Sequence, residues 1–455
     1  MSKGVARPYL HFIGGNSSDV TGSCTIIKWR DFKLAVDCGM IQTNNIVADY
    51  RANKDLVKRI KPKELQYIIC SHIHQDHIGC LLPIYHVGCQ AHIYVPEGSS
   101  TIMRIMLEDS AKIIEQDAMK LQNKHGIKVA PLATLDDVDR VMNRVIELPF
   151  GQDCDIAPGV KAHLFHAGHI VHSSQIVLTF QEGYVQKRIG FTGDINTEHK
   201  SKSVPMIEPL QRCNIVVGEA TYSDPKRCYS VKKDRWYDRE MIKTAISQYR
   251  KILIPVFSLQ RAEDMLEELA QFGIDCPIYL DGPLACRIYR NWPEKLDYED
   301  RLKFKLVEEW PDSVALQTSH EHSVILSSSG MLSAGRALSH LKTLLPSPNN
   351  AVLFCGYSSP NTLAYEIKHG AKEIKVDGDL VQNNAQIYNL NTFSSHANYN
   401  QLITYYKQID YDKLCVVHSN FEDKVGFCRV LQDELVNQGK SSRVVCVSQD
   451  QKIFF

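Results

Sequence analysis

The chain has 455 residues, and its 52 Lys and Arg residues balance 52 Asp and Glu residues. This length predicts two or three domains with buried cores. The balanced charge excludes a bulk polycation, so any nucleic acid would bind through a local basic channel. Fourteen dispersed cysteines without zinc-finger spacing indicate buried thiols in a reducing compartment. The segment Met1 to Pro8 has no apolar core of signal-peptide length, and no stretch approaches ~20 apolar residues, so we expect a soluble, cytoplasmic protein without a membrane partner.

The first half of the chain predicts short strands separated by turns. A hairpin is expected across Arg30-Asp31, and helices are expected from about Ser100 to Leu121 and from near Asp136, where apolar residues recur at helical spacing. The predicted strands are Tyr9–Ile13, Cys24–Trp29, Phe32–Asp37, Ala91–Val95, Lys161–Phe165, Gln175–Phe180, Gln186–Thr192 and Ile215–Gly218.

From about Pro225 the pattern changes to alternating helices and strands, which is typical of βαβ units on a parallel sheet. The predicted helices are Asp234–Tyr249, Arg261–Phe272 and Ala334–Leu344, and the predicted strands are Ile252–Phe257, Pro277–Leu280, Ser323–Leu326 and Ala351–Phe354. The last stretch predicts helices at Asn400–Gln408 and Asp423–Gln438, a strand at Leu414–His418 and a terminal pair of strands.

Four residues able to bind a metal follow the apolar run that ends at Cys70: His72, His74, Asp76 and His77. Imidazole nitrogens and carboxylates are ligands that zinc prefers. The first two residues are two positions apart and can face one ion from a turn. The other two continue onto a helical turn and can face a second ion. The segment therefore predicts a metal centre rather than a polar loop with incidental histidines.

Further polar residues come directly after apolar strands, where layered α/β folds expose catalytic groups. They are Asp37, His169, Asp194 and His418. A single Asp at the end of a strand is commonly a turn residue or a helix cap. Together with the dense motif, however, these residues supply enough ligands for two ions.

The order Asp37, His72-x-His74-x-Asp76-His77, His169, Asp194 resembles the metallo-β-lactamase fold. Glu219, His396 and His418 resemble the three additional motifs of its β-CASP branch of nucleic-acid nucleases, as do the segments Pro255–Ala262, Ser329–Arg336 and Phe354–Tyr357. The resemblance implies an α/β chain, an αββα sandwich of two sheets between helices, with an inserted α/β β-CASP domain. We expect the sandwich at residues 1–208 and 391–455, and the insertion at residues 209–390.

The resemblance also implies the metal ligands, which would hold two Zn²⁺ ions, with other divalent cations left open. His72, His74 and His169 would hold one ion, and Asp76, His77 and His418 the other. Asp194 would bridge the two ions, and Asp37 would orient a ligand or the reacting water. Two dications ~3.5–4 Å apart acidify a bridging water and hold it beside a phosphoryl oxygen.

A proton donor for the leaving alkoxide is the remaining requirement of phosphodiester hydrolysis. The resemblance assigns this role to His396, with Glu219 setting its tautomer, so that the implied catalytic residues are Asp37, Asp76, Glu219 and His396. The alternative is that Ser394-Ser395-His396 only begins a helix that Asn398 or Asn400 caps.

The sequence departs from the family pattern at two places. Val171-His172 stands where Leu-Gly is common, which puts an additional histidine near a metal ligand, either as a bystander or in contact with substrate. Ser419-Asn420 replaces the usual Gly-Glu after His418 and removes a carboxylate near the second metal.

A cleft between the two domains would admit a single strand, and several residues are candidates for lining it. We expect Arg261, Arg336, Ser329 and Tyr357 to bind substrate, since both arginines stand at predicted helix starts. A basic run between positions 226 and 235 either contacts phosphate or forms a solvated face. Aromatic residues nearby either stack on bases or pack in the interior. These further candidates are Lys226, Arg227, Lys232, Lys233, Arg235, Tyr222, Tyr229 and Trp236.

His418 favours RNA over DNA, because RNA-processing members of the branch carry histidine there. We therefore expect a zinc-dependent ribonuclease that cuts single-stranded RNA, similar to bacterial and archaeal β-CASP ribonucleases and to the nuclease subunit of mRNA 3′-end cleavage. Cleavage would be endonucleolytic, with 5′→3′ exonuclease activity and a homodimer left open. The alternatives are a hydrolase of small esters, thioesters or lactams, a DNA nuclease, and a non-catalytic scaffold.

Overall fold

The computed structural model describes residues 7–15, 20–43, 45–198, 201–228, 231–292, 302–356, 358–359 and 362–455. Two compact units are present. The first unit comprises Met1–His199, Val204–Cys228 and His396–Phe455, and the second unit comprises Lys200–Ser203 and Tyr229–Ser395.

Strands make up most of the first unit and the centre of the second. In chain order they are β1 (Tyr9–Gly14), β2 (Cys24–Trp29), β3 (Phe32–Val36), β4 (Tyr67–Ile69), β5 (His92–Pro96), β6 (Val145–Leu148), β7 (Asp153–Ala157), β8 (Val160–His166), β9 (Ser174–Glu182), β10 (Val185–Phe191), β11 (Cys213–Glu219), β12 (Lys251–Pro255), β13 (Ile278–Asp281), β14 (Phe304–Val307), β15 (Ser323–Ser327), β16 (Asn350–Phe354), β17 (Glu373–Val376), β18 (Asp379–Gln382), β19 (Gln386–Asn389), β20 (Tyr411–Val417), β21 (Arg443–Cys446) and β22 (Lys452–Phe454).

Helices connect these strands and cover the sheets. In chain order they are α1 (Ile46–Ile60), α2 (Gln75–Ile78), α3 (Leu81–His86), α4 (Ser100–His125), α5 (Asp136–Met142), α6 (Val231–Gln248), α7 (Arg261–Leu269), α8 (Pro283–Arg290), α9 (Trp310–Thr318), α10 (Arg336–Leu344), α11 (Leu363–Lys368), α12 (Tyr399–Gln408) and α13 (Phe421–Asn437). Short 3₁₀ turns lie at Pro62–Glu64 and Pro225–Arg227. Among the helices of the described chain, none has the length and apolar character that a membrane crossing requires.

Two seven-stranded sheets form the first unit, in the orders β22-β1-β2-β3-β4-β5-β6 and β21-β20-β11-β10-β9-β8-β7. Their facing sides share one apolar core, which includes Phe12 and Ile27 from one sheet and Leu178 and Phe180 from the other. Helices α12 and α13 cover the outer side of the second sheet. The sandwich predicted from the sequence is confirmed.

The strand directions bring the predicted site residues to one edge of the sandwich. Strands β3, β4 and β5 are parallel, as are β10, β11 and β20. The carboxyl ends of parallel strands meet at the same edge of a sheet. The loops after β3, β4, β10 and β20, which carry the predicted ligands, therefore begin close together.

A six-stranded parallel sheet is the centre of the second unit, in the order β14-β13-β15-β12-β16-β19. Every residue of β12 is buried, as expected of a strand covered on both faces. One face packs with α6, α7 and α8, and the other with α9, α10 and α11. The predicted βαβ pattern and inserted α/β domain are confirmed.

Several details differ from the sequence-based predictions. The first unit retains Val204–Cys228, because β11 pairs with β10 and β20 inside its second sheet, whereas we expected the insertion to begin at 209 and to end at 390. The last two strands do not pair with each other: β21 joins β20 and β22 joins β1. Helix α1 was not predicted, because its buried apolar residues lie only in its second half.

Candidate metal centre

The motif His72-x-His74-x-Asp76-His77 follows β4 and continues into the single turn of α2. His72 and His74 lie before this turn, and their Nε2 and Nδ1 atoms are 3.1 Å apart. His169, from the loop after β8, places its Nε2 3.1 Å from the same Nδ1 of His74. Ligand atoms of a tetrahedral zinc site lie about 3.3 Å from one another. We call these three histidines the first donor set, and their spacing fits one ion.

A second donor set consists of Asp76, His77 and His418, whose ligand atoms also lie within 4.8 Å of one another. Asp76 Oδ2 is 3.4 Å from His418 Nε2 and 4.0 Å from His77 Nε2. The first two residues of the set come from α2, and His418 follows β20. The distances between ligand atoms are longer in this set than in the first, which leaves more room for a further ligand.

Asp194 lies between the two donor sets and is almost completely buried. Its Oδ2 is 3.6 Å from the Nε2 atoms of both His72 and His169. Its Oδ1 is 3.4 Å from His77 Nε2 and 3.7 Å from His418 Nδ1. Each carboxylate oxygen therefore faces one donor set, which is the arrangement that a bridging ligand needs.

Two buried atoms in this cluster indicate that a cation belongs there. His77 Nε2 and Asp194 Oδ1 are enclosed, and neither forms a hydrogen bond with any described residue. Burying a polar atom without a partner costs free energy. A cation between them would satisfy both atoms, and the surrounding imidazoles and carboxylates are the ligand types that zinc takes. The residues present therefore fit a binuclear zinc site.

Asp37 orients His77, a member of the second donor set. Its Oδ2 lies 2.8 Å from His77 Nδ1, which turns the Nε2 of that ring toward the cluster. Ser71 fixes the carboxylate in turn, because its backbone N–H and its hydroxyl donate to the two oxygens of Asp37 at 2.7 and 2.9 Å. Ser71 was not among the predicted residues, although it immediately precedes the first histidine of the motif.

The electrostatics of the cluster separate its histidines into two kinds. Burial lowers the pKa of His72 well below its usual value and that of His74 to about 4, so both are neutral and able to ligate. Burial also opposes protonation of His77 and His418, but carboxylates led by Asp194 outweigh it and raise their pKa values. A cation at the second donor set would therefore displace protons.

Glu219 and His396 form a separate pair at the rim of the cluster. Glu219 is buried at the end of β11, and its Oε1 lies 3.2 Å from His396 Nδ1. Burial disfavours the charged imidazole, but Glu219 and then Asp194 raise the pKa of His396 above its ordinary value. The helix that follows is capped by Asn398 through a capping box, as the alternative interpretation of this segment expected. The contact with Glu219 is additional to that cap, and the role of His396 as proton donor stays a prediction.

Profiles of known families match most of the chain. The metallo-beta-lactamase superfamily profile matches residues 19–205, the Beta-Casp domain profile residues 263–367, and the Zn-dependent metallo-hydrolase RNA specificity domain profile residues 381–439. The chain is a β-CASP protein of the metallo-β-lactamase superfamily.

Curated relatives of this β-CASP protein come from archaea and bacteria. It is 28% identical over 437 residues to transcription termination factor FttA of Methanocaldococcus jannaschii, covering 90% of this chain and 66% of that protein, so the chain spans just under two thirds of that relative. It is 28% identical to ribonuclease TTHA0252 of Thermus thermophilus (86% and 88% covered) and 29% identical to RNase aCSPSF2 of Saccharolobus solfataricus (94% and 82% covered).

A solved structure shares the fold of this β-CASP protein. The crystal structure of a protein of unknown function from Enterococcus faecalis superposes with a TM-score of 0.55 at 11% sequence identity. The match covers 99% of this chain and 100% of that one. At this identity the likeness shows the fold alone.

The two arginines predicted to bind substrate in the β-CASP domain stand at the helix starts, as predicted, but their side chains point inward. Arg261 is buried, and its guanidinium donates to Cys355 O and, at 3.0 Å, to Ser395 Oγ. Arg336 donates to Asp281 Oδ1 at 2.7 Å and to Val307 O at 3.1 Å. Both guanidiniums therefore have partners within the second unit, although Arg261 Nε is buried without a hydrogen bond to any described residue. Phosphate binding by these arginines stays a prediction.

The remaining substrate candidates differ in their exposure. Ser329, in the loop after β15, accepts from the backbone N–H of Ser333 at 3.1 Å and is partly exposed. Trp236 on α6 is 60% exposed, whereas Arg235 bonds Glu268 and Thr392 within the second unit. Tyr357 and Tyr229 lie outside the described residues, as do the side chains of Lys232 and Lys233.

Three further candidates for substrate contact lie in the first unit: Arg227, Lys226 and His172. The guanidinium of Arg227 lies 5.4 Å from the centre of the Tyr222 ring, which in turn is 5.9 Å from the His396 ring. Lys226 stays exposed in the adjoining 3₁₀ turn. The ring of His172 packs directly on Gly98, where an added Cβ would come within 2.4 Å of its Cε1. This packing is what a bystander would show, and contact of His172 with substrate stays a prediction.

Proposed function

We propose that this protein is a zinc-dependent ribonuclease that hydrolyses phosphodiester bonds of single-stranded RNA at the two donor sets. The observation that carries the proposal is the placement of Asp194, whose two carboxylate oxygens face different sets of buried ligands at 3.4–3.7 Å. Relatives named as ribonucleases and the match to an RNA specificity domain support RNA as the polymer.

Each donor set would hold one zinc ion, and Asp194 would contact both. When bound, the pair of ions supplies Lewis acidity and an activated water at neutral pH. Asp37 keeps His77 oriented toward the second ion by holding its Nδ1. His72 and His74 are held neutral by burial, so they need not lose a proton before they ligate.

The proton for the leaving oxygen comes from His396. Glu219 Oε1 accepts from Nδ1–H of this ring at 3.2 Å, which leaves Nε2 to carry the transferable proton. Ile195 N–H donates to the same oxygen at 2.7 Å and fixes the carboxylate. The oxygen of a water molecule bonds to phosphorus as the bond between phosphorus and O3′ breaks. O3′ takes the proton from His396, so the upstream product ends in a 3′-hydroxyl and the downstream product keeps a 5′-phosphate.

We place the activity in the cytoplasm, because all fourteen cysteines are free thiols, as expected of a reducing compartment. We expect endonucleolytic cleavage, at positions inside the RNA strand. Trimming in the 5′→3′ direction would instead appear as mononucleotide release from a 5′-phosphorylated substrate.

The test is a side-by-side digestion of labelled single-stranded RNA and DNA of the same sequence, with chelator, zinc add-back and His396→Ala. We expect RNA cleavage that chelator abolishes and zinc restores. Loss of the general acid should lower the rate tenfold or more without changing metal content. His320→Ala, at an exposed histidine of the second unit, serves as the control.

Other outcomes of the same experiment would point elsewhere. Equal cleavage of DNA would defeat the RNA assignment. Turnover of a chromogenic lactam or thioester without RNA cleavage would indicate a small-molecule hydrolase. An unchanged rate for His396→Ala would remove that residue from its role.

A further inference from the structure

One hydroxyl connects the second donor set to the Glu219–His396 pair. Thr221 lies two residues past the end of β11, and its Oγ1 is within hydrogen-bond distance of both Glu219 Oε2 and His418 Nδ1, the latter at 2.9 Å. The parallel pairing of Glu219 with Val417 at the ends of β11 and β20 brings these loops side by side. Two residues far apart in the sequence, Glu219 and His418, are therefore hydrogen-bonded to the same hydroxyl group.

The hydroxyl of Thr221 has a single proton and three possible acceptors beside it: Glu219 Oε2, His418 Nδ1 and, more distant at 3.4 Å, the backbone oxygen of His418. The buried carboxylate of Glu219 is the strongest acceptor, since hydrogen bonds to ionised groups are about twice as strong as neutral ones. The hydroxyl therefore donates to Glu219 Oε2, and its oxygen accepts from His418. This arrangement requires a proton on His418 Nδ1, for which the other nearby acceptor, Asp194 Oδ1, lies 3.7 Å away and beyond hydrogen-bond distance.

The tautomer of His418 follows from that bond. With the proton on Nδ1, the lone pair of the neutral ring is on Nε2, the nitrogen that lies 3.4 Å from Asp76 Oδ2 in the second donor set. Metal-bound histidines are commonly oriented by an acceptor at their other nitrogen. Thr221 Oγ1 occupies that position for His418, as Asp37 does for His77.

We propose that Thr221 is a positioning residue that fixes the tautomer of His418 for the second metal ion and holds Glu219 for His396 with the same hydroxyl. The inference rests on the proposed two-zinc site. It gives the two ions unequal dependence on one side chain, because Thr221 contacts His418 of the second donor set, whereas the histidines of the first donor set converge on the Nδ1 atom of His74.

The test measures zinc binding rather than cleavage. The metal-free full chain is titrated with Zn²⁺ in competition with a chromophoric chelator, using wild type, Thr221→Val, Thr221→Ser and Asp76→Ala. We expect Thr221→Val to weaken one of two binding events by about 10–100-fold, the same event that Asp76→Ala removes. Thr221→Ser keeps the hydroxyl and should stay within about threefold of wild type.

Matched controls separate this role from a merely structural one. Thr179→Val removes a threonine hydroxyl from the middle of β9 and should leave both affinities unchanged. Unchanged zinc binding in Thr221→Val, or equal losses in Thr221→Ser, would overturn the inference. So would failure of both Thr221→Val and Thr221→Ala to fold without metal. A wild-type chain that binds two zinc ions but cleaves no RNA would reject the ribonuclease and leave the role of Thr221 intact.

Discussion

The two units place similar residues at the carboxyl ends of their strands and use them differently. In the first unit, His77 Nε2 and Asp194 Oδ1 are buried without a hydrogen-bond partner. In the second unit, Asp281 at the end of β13 is fully buried, and both of its carboxylate oxygens are bonded: Oδ1 by Arg336 at 2.7 Å, and Oδ2 by His340 and Ser313 at 2.6 Å each. The first arrangement is open to a cation, and the second is closed.

The comparison shows what separates a candidate site from a structural network. Both contain a buried aspartate at or just after the end of a strand with a histidine beside it, so residue type alone does not distinguish them. Unsatisfied atoms that converge from several residues do, because burying them together costs free energy that a bound cation would offset. Substitutions in the first unit should therefore change metal binding, and those in the second should change stability.

The largest expected effect is that of Asp194→Asn. One amide cannot serve two cations as a carboxylate does, so RNA cleavage should fall by about 10³-fold and bound zinc should drop below two ions per chain. Metal analysis and initial rates measure both. Asp155→Asn, at an exposed position of β7, is the control. Retention of both ions by Asp194→Asn would show that this residue does not bridge.

Asp281→Ala should break the closed network of the second unit. The change leaves Arg336 and His340 without their buried carboxylate, which costs about 3–5 kcal/mol of the free energy of unfolding. Urea unfolding measures the loss, and zinc content should stay at the wild-type value. Asp275→Ala, at an exposed aspartate, should stay within about 0.5 kcal/mol. Reduced zinc binding by a folded Asp281→Ala protein would contradict the division of roles.

Glu263 makes the stability of the second unit depend on pH. Burial raises the pKa of this carboxyl on α7 from 4.5 to about 8, and neither of its oxygens has a partner among the described residues. The folded chain therefore holds a proton that the unfolded chain releases above pH 4.5, so stability falls as pH rises from about 4.5 to 8. The loss is about 3 kcal/mol at pH 7.

Glu263→Gln should remove this slope, since the amide does not titrate. The measurement is the difference in free energy of unfolding between variant and wild type at several pH values between 5 and 8, which cancels the titration of the metal ligands. Parallel profiles for the two proteins would contradict the raised pKa of Glu263.

The smallest expected effect is that of Ser71→Ala, which removes one of the two hydrogen bonds from Ser71 to Asp37. Stability should change by about 1 kcal/mol, and zinc affinity should fall by up to about tenfold because Asp37 still holds His77. Ser99→Ala is the control, because the buried Ser99 hydroxyl has no partner among the described residues. A larger loss in Ser99→Ala than in Ser71→Ala would contradict this assignment.

The convergence of the candidate ligands was predictable because they lie in recognisable places in the sequence, and their binding of metal stays a prediction. Four of them lie within six positions of one another, and His169, Asp194 and His418 follow apolar strands whose directions bring them to one edge. The fold was predictable for a similar reason, since the buried strands of the parallel sheet read as continuous apolar runs.

Other features depend on partners that spacing does not reveal. Thr221 meets His418 across 197 positions, and hydroxyl residues are too common to be informative alone. Arg261 and Arg336 were expected to face phosphate, but their acceptors are Cys355 O and Asp281 within the second unit. A predicted helix start gives the backbone position of an arginine. Only the folded chain shows which acceptor its guanidinium reaches.

The most direct test of the binuclear site is anomalous diffraction at the zinc edge from crystals of the zinc-loaded chain. Two peaks are expected, one about 2.0–2.2 Å from ligand atoms of His72, His74 and His169, and one at that distance from Asp76, His77 and His418, with an oxygen of Asp194 on each. A single peak, or two peaks that leave His169 or His418 without a metal, would contradict the account.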